Sequence, residues 1–194
     1  MALRTHHLAI ALRSAVARES NSRLKLGDFG TFVIFAAIYA AGTLGLPTIS
    51  LLAYQVKIGE MASPFVALFG MPAVLGLTLG QFIANVGFEA KPISMLSSIF
   101  SFIGLLAIYY MRKRSALAGS ITYIIITGLW LSLTLPIAKP GVSSSLATLS
   151  AFASQFISVM IGYVAYFLTT KTMTTPSHQQ EQISPSPPQL NAPT

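Results

Sequence analysis

The sequence predicts an all-α integral membrane protein, a compact bundle of six transmembrane helices with N- and C-termini in the cytoplasm. Three observations point there. Of 194 residues, 53% are hydrophobic and only 9% are charged, against about 25% charged in an ordinary soluble domain. The apolar residues gather in uncharged runs near the roughly 20-residue length that crosses a bilayer. The basic residues sit at the ends of those runs, where they orient spans and meet anionic lipid headgroups. That placement makes the net charge of +7 a feature of membrane topology and not of nucleic-acid binding. The expected location is the cell membrane, with several passes.

The first segment, residues 1–26, carries Arg4, Arg13, Arg18, Arg23 and Lys25. It lacks the continuous apolar core of a secretory signal and reads as a basic cytoplasmic extension. Leu8, Leu12 and Val16 recur every four residues, as in a helix lying on the inner membrane surface; a flexible basic extension and an organellar transit peptide are the alternatives. The membrane domain is expected over residues 27–171. Its first span runs from about Phe29 to Leu46 and stops at Pro47. Thr48 to Val56 is apolar but too short to cross, and leads to Lys57 and Glu60. From Met61 to Phe88 no residue is charged, and Gly70 and Pro72 in the middle predict a tight turn between two short helices. Further spans are expected over Pro92–Met111, Ser115–Pro136 and Leu146–Thr170. Residues 172–194 are rich in Pro, Ser, Thr and Gln; they cannot bury apolar surface and read as a disordered cytoplasmic tail.

Charge settles how often the uncharged 61–88 stretch crosses. Two short helices there, with the N-terminus inside, leave Arg4, Arg13, Arg18, Arg23, Lys25, Arg112, Lys113, Arg114 and Lys171 on the inner side. Only Lys57, Lys91 and Lys139 then lie outside. A single crossing would invert the later segments and move the Arg112–Arg114 cluster and Lys171 outside. The positive-inside rule selects six spans.

In this topology the informative polar residues collect on the outer side. Lys57 and Glu60 are three apart, share a helical face and are spaced to pair. Thr78, Gln81 and Asn85 line one face of the third span, and Glu89 and Lys91 bracket the following turn. Polar groups at membrane depth face a cavity or another helix. Ser94, Ser97, Ser98 and Ser101 form one stripe, and Ser150, Ser154 and Ser158, with Gln155 beside them, form another. Such small polar residues commonly serve helix contact. Tyr123, Thr127, Trp130 and Thr134 share a face of the fifth span; the indole suits either an interfacial belt or stacking on a planar ligand. Gly76, Gly80 and Ala84 make a small-residue seam, as do the overlapping steps Ala36–Ala40 and Ala37–Ala41. Either seam suits the bundle interior or a partner subunit.

Other chemistries find little footing. The histidines His6, His7 and His178 lie in the terminal segments, and no cluster has metal-ligand spacing. Cysteine is absent, no phosphate-binding loop is present, and Glu60 and Glu89 are too few to argue for acid–base catalysis. No metal, no cofactor and no enzymatic activity are expected.

The run YQVKIGEMASPFVALFGMPAVLGLTLGQFIANVGFEAKP resembles the queuosine-precursor transporter (QueT) family. A basic residue is followed three positions later by Glu, then by a proline-marked turn and a Gly-rich helix ending in Ala84-Asn85. The likeness is strongest from about Phe29 to Arg114; Lys57 stands where Arg is usual, and Glu89 has no matching position. The resemblance implies a substrate-capture (S) component of an energy-coupling factor transporter, importing a deazaguanine base. It implies partners as well: a transmembrane scaffold subunit and two ATPase subunits that supply the energy. Substrate contacts are expected from Lys57, Glu60, Gln81, Asn85 and Trp130, and scaffold contacts from Ala36, Ala37, Ala40 and Ala41. Two other readings are open: a structural or regulatory subunit without a small ligand, and an S component for a different vitamin.

Overall fold

A computed structural model describes residues 26–45, 57–88, 92–138 and 143–174. Among them the chain forms six helices and no strands. Four are long and apolar enough to cross a membrane: α1 (Leu26–Leu44), α4 (Pro92–Met111), α5 (Ala116–Ala138) and α6 (Ser144–Thr174). The two between are shorter, α2 (Ile58–Phe69) and α3 (Met71–Phe88). The N-terminal extension, the Thr48–Val56 segment, Glu89 with Lys91, Lys139 and the polar tail beyond Thr174 fall outside the described residues.

Each boundary has a local cause. Ser115 and Ser143 cap α5 and α6, their hydroxyls accepting from the amides of Ala118 (3.2 Å) and Leu146 (3.4 Å). The expected turn at Gly70 is present, and glycine is required there: its φ is +74°, outside the range of L side chains. Its amide closes α2 on the Val66 carbonyl at 2.9 Å, and its carbonyl opens α3 by accepting from Val74 at 3.3 Å. Pro72 follows within the first turn of α3, where its missing N–H leaves nothing unpaired. The last helix is longer than expected. α6 has 31 residues, about 46 Å at 1.5 Å per residue, and carries Lys171 into its final turn, where a cation complements the helix dipole. It therefore continues through residues 172–174, which the composition assigned to the tail.

The contacts order the helices. Gly59 on α2 and Gly80 on α3 both abut Tyr39 of α1, whereas Gly70 between them abuts Arg112 and Tyr109 at the end of α4. So α2 and α3 form an antiparallel hairpin whose tip lies at the end of the molecule carrying Arg112. The guanidinium there lies 4.3 Å from the centroid of the Tyr109 ring, a cation–π contact. The small-residue seam of α3 turns inward. A Cβ on Gly80 would lie 2.5 Å from the Ala36 carbonyl oxygen, and one on Gly76 would strike the Phe32 carbonyl. These glycines let the backbones of α1 and α3 touch. The buried core joins Phe35, Val66, Val74, Leu77, Leu105, Ile108, Tyr123 and Val159, while most other large apolar side chains point outward, as lipid contact requires.

Candidate functional site

The sequence places Glu60 on the outer side, spaced to pair with Lys57. The structure gives it other partners. Glu60 is 1% exposed, and its two carboxylate oxygens accept from phenols on different helices. Tyr39 of α1 donates to Oε1 at 2.8 Å, and Tyr123 of α5 donates to Oε2. Lys57 is half-buried at the start of α2 in extended conformation, and among the described residues no ion pair joins it to Glu60. The cause is local. Residues Ile58–Phe65 form a 3-10 helix containing Pro64, so the turn is tighter than the α-helical face assumed from spacing. Gly59, packed on the Tyr39 ring, brings the next residue into the interior.

Asn85 and Gln81 both turn toward α4. The Asn85 amide is within reach of the Ser94 carbonyl (2.8 Å), Ser97 Oγ (2.9 Å) and Ser98 Oγ (3.2 Å), of which its two hydrogens can serve two at once. Gln81 donates to Ser97 at 3.4 Å, and its carbonyl oxygen is buried with no partner. The serine stripe of α4 thus receives α3 amides. Trp130 stacks on Phe100 with centroids 4.0 Å apart and rings 12° from parallel, and its indole N–H is buried without an acceptor. On α1 the two alanine steps divide. Ala36 is buried against Gly80 and Ala40 is half-buried, whereas Ala37 and Ala41 are exposed.

The roles of several residues of this interior do not show in the sequence. Tyr39 reads as an ordinary aromatic within an apolar run and Tyr123 only as one member of a polar face, yet together they hold the carboxylate. Thr43 Oγ1, Gln155 Oε1 and Ser158 Oγ are, like those of Gln81 and Trp130, buried polar atoms without hydrogen-bond partners. In a protein interior such atoms cost about 1–3 kcal/mol each, and a bundle of this size needs few of them for folding. Their signal in the sequence is faint, since Ser158 and Gln155 look like a packing stripe. An apolar groove of about 650 Å³ also opens between α3 and α4, lined by Phe32, Leu75, Leu79, Phe82, Leu96 and Ile99 among others. Its walls are hydrocarbon and offer a polar ligand little.

The interior thus holds a carboxylate, together with amide carbonyls and an indole N–H that lack partners, and an indole stacked on Phe100. Among the described residues no group of His, Asp or Glu could hold a metal ion. No curated protein and no solved structure matches the chain. The sequence profile of the family described as QueT transporter matches residues 31–171, which takes in every side chain of this candidate site. This multi-pass membrane protein belongs to the QueT transporter family.

Proposed function

We propose that the chain is the substrate-capture component of an energy-coupling factor importer and that its cargo is a deazaguanine precursor of queuosine. The observation that carries this reading is the set of unpaired polar atoms in the interior of a bundle that also buries a carboxylate. Glu60 offers about four acceptor positions, and the two phenols occupy two. Gln81 on α3, Trp130 on α5 and Thr43 on α1 add unpaired groups. A guanine-like base carries N–H donors for the acidic and amide oxygens and a flat face for stacking. Lys57, half-buried at the entry of α2, and Asn85, held by α4, complete the proposed contacts.

In this reading all six helices cross, the N-terminus and the Arg112–Arg114 turn are cytoplasmic, and the ligand enters from outside. Energy comes from separate ATPase subunits through a membrane scaffold. Ala37 and Ala41, exposed on α1, suit a closely packed partner helix, with Ala40 at the margin of that face. Replacing Ala37 by Leu is expected to leave ligand binding intact and abolish uptake and co-purification with the scaffold.

The test uses Trp130, the single tryptophan of the chain. Titrating the purified protein with 7-deazaguanine bases should change its fluorescence in a saturable way, with guanine and riboflavin as controls. Replacing Glu60 by Gln should weaken binding by about tenfold or more, the range for a lost hydrogen bond to a charged group. Absence of both a fluorescence change and thermal stabilisation with every deazaguanine would remove the substrate assignment.

A further inference from the structure

The sixth helix presents polar groups that neither the family match nor the sequence motifs assign. Its inward face carries Ala151, Ser154, Gln155, Ser158, Val159 and Gly162, all buried. Ser154 satisfies itself on the Ala151 carbonyl at 3.0 Å, as short hydroxyl side chains on membrane helices commonly do. Gln155 is different. It is 3% exposed, and its carbonyl oxygen has no partner; the Ser158 hydroxyl, one turn on, is 1% exposed and has none either.

The contacts of α6 fix where these groups lie. Phe152 packs on Gly128 of α5, and Gly162 abuts the Met61 backbone of α2. Gln155 is on the same face between those contacts, about 4.5 Å along the axis from Phe152 and about 10.5 Å from Gly162. Gly128 is two residues from Trp130, and Met61 adjoins Glu60. The Gln155 amide is therefore at a height between the indole and the carboxylate, on the wall contributed by α6. At Gln81, by comparison, one of the two amide N–H groups is already given to Ser97.

We infer that Gln155, supported by Ser158, is a ligand-facing residue that reads a lactam edge, the adjacent ring N–H and C=O of a guanine-type base. This deepens the substrate reading above and rests on it. A primary amide has a carbonyl acceptor and an NH2 donor side by side, and a lactam has the same pair in complementary order. The two join through a pair of N–H···O bonds. A carbonyl oxygen left buried and unpaired opposes folding, a cost that an N–H donor on a bound ligand would offset.

That reasoning separates a ligand role from a packing role. The experiment compares wild type with Gln155→Met, which keeps the length of the side chain and removes its polarity. Two readouts are used: thermal unfolding without ligand, and Trp130 fluorescence titration with 7-deazaguanine and with its 6-O-methyl derivative, which lacks the lactam N–H. The wild type should prefer the lactam by about tenfold or more. The methionine variant should bind 7-deazaguanine at least about tenfold more weakly, lose most of the preference, and unfold at the same temperature as wild type or higher. Equal binding and equal preference in the variant would overturn the inference while leaving the proposed function intact. Lower stability of the ligand-free variant with an unchanged preference would make Gln155 a packing residue and also overturn it. A wild type that binds neither base would remove the substrate reading itself, and this inference with it.

Discussion

Removing one of the two phenols that hold Glu60 should harm the fold more than removing all three groups together. Tyr123 donates to Oε2 and Tyr39 to Oε1, and the carboxylate is 1% exposed, so water cannot replace a missing donor. A hydrogen bond to a charged group contributes about 1.5–3 kcal/mol. Tyr123→Phe and Tyr39→Phe should each destabilise by that amount, which for a chain of this size is roughly 3–12 °C in midpoint temperature. The double substitution should cost more than the sum, because the carboxylate is then buried with neither partner. Changing Glu60 to Leu in the same background removes the charge, and stability should return to within about 1–2 kcal/mol of wild type. Thermal unfolding of the detergent-solubilised proteins checks this, with ligand titration in parallel. The triple variant should be stable and unable to bind. A triple variant less stable than either single one would mean that the network is a net contributor to folding and would refute the argument that it is retained for the ligand. Single phenylalanine variants within a degree of wild type would refute the weight given to the two bonds.

Further outcomes concern three glycines and the orientation of the chain. Gly80→Ala places a methyl 2.5 Å from the Ala36 carbonyl oxygen and should cost about 1–3 kcal/mol by forcing α1 and α3 apart. Gly30→Ala meets nothing within 4 Å and should stabilise by up to about 1 kcal/mol through helix propensity; thermal unfolding distinguishes the two. At Gly70 the pair φ +74°, ψ −147° lies outside the left-handed helical region that Asn tolerates, so Gly70→Asn should destabilise by as much as Gly70→Ala, about 1–3 kcal/mol. The chain contains no cysteine, so single substitutions report sidedness directly. In intact cells Ser143→Cys should react with an impermeant maleimide and Lys113→Cys only after permeabilisation. The reverse pattern would overturn the proposed orientation.

Much of the helical framework was legible because it rests on local signals. The uncharged runs mark the helices, Ser115 marks one start, and Gly70 with Pro72 marks the hairpin tip; the last helix, expected from Leu146, begins two residues earlier behind the Ser143 cap. The inward direction of the Gly76–Gly80 seam was not legible, since a small-residue step looks the same whether it meets α1 or another subunit. The surroundings of Glu60 were hidden for a related reason. Tyr123 is 63 residues away in sequence, and no spacing rule links residues so far apart. Lys57–Glu60 looked like a local pair because the i, i+3 rule presumes an α-helix that extends through both residues. Here Lys57 is extended and the turn beyond it is 3-10.

Glu60 lies on the least regular helix of the bundle, and the neighbours of α2 show how its position is nonetheless fixed. Runs of 3-10 helix longer than three or four residues are uncommon because their hydrogen bonds are poorly aligned, yet α2 begins with eight such residues. On one side Gly59 meets the Tyr39 ring so closely that a Cβ there would lie only 2.9 Å from it; on the other, Gly162 of α6 meets the Met61 backbone. At 61 the contact is backbone against the bare face of Gly162; at 59 the backbone of α2 meets the Tyr39 ring, which its own hydrogen bond to Glu60 holds in place. A binding site gains affinity when its groups are ordered before the ligand arrives. Backbone contact at 59 and 61, on either side of the carboxylate, supplies that order where the helix's own hydrogen bonds are weak. The glycines of α2 and α6 therefore belong to the site as much as the polar residues do, although neither offers a ligand an atom to bind.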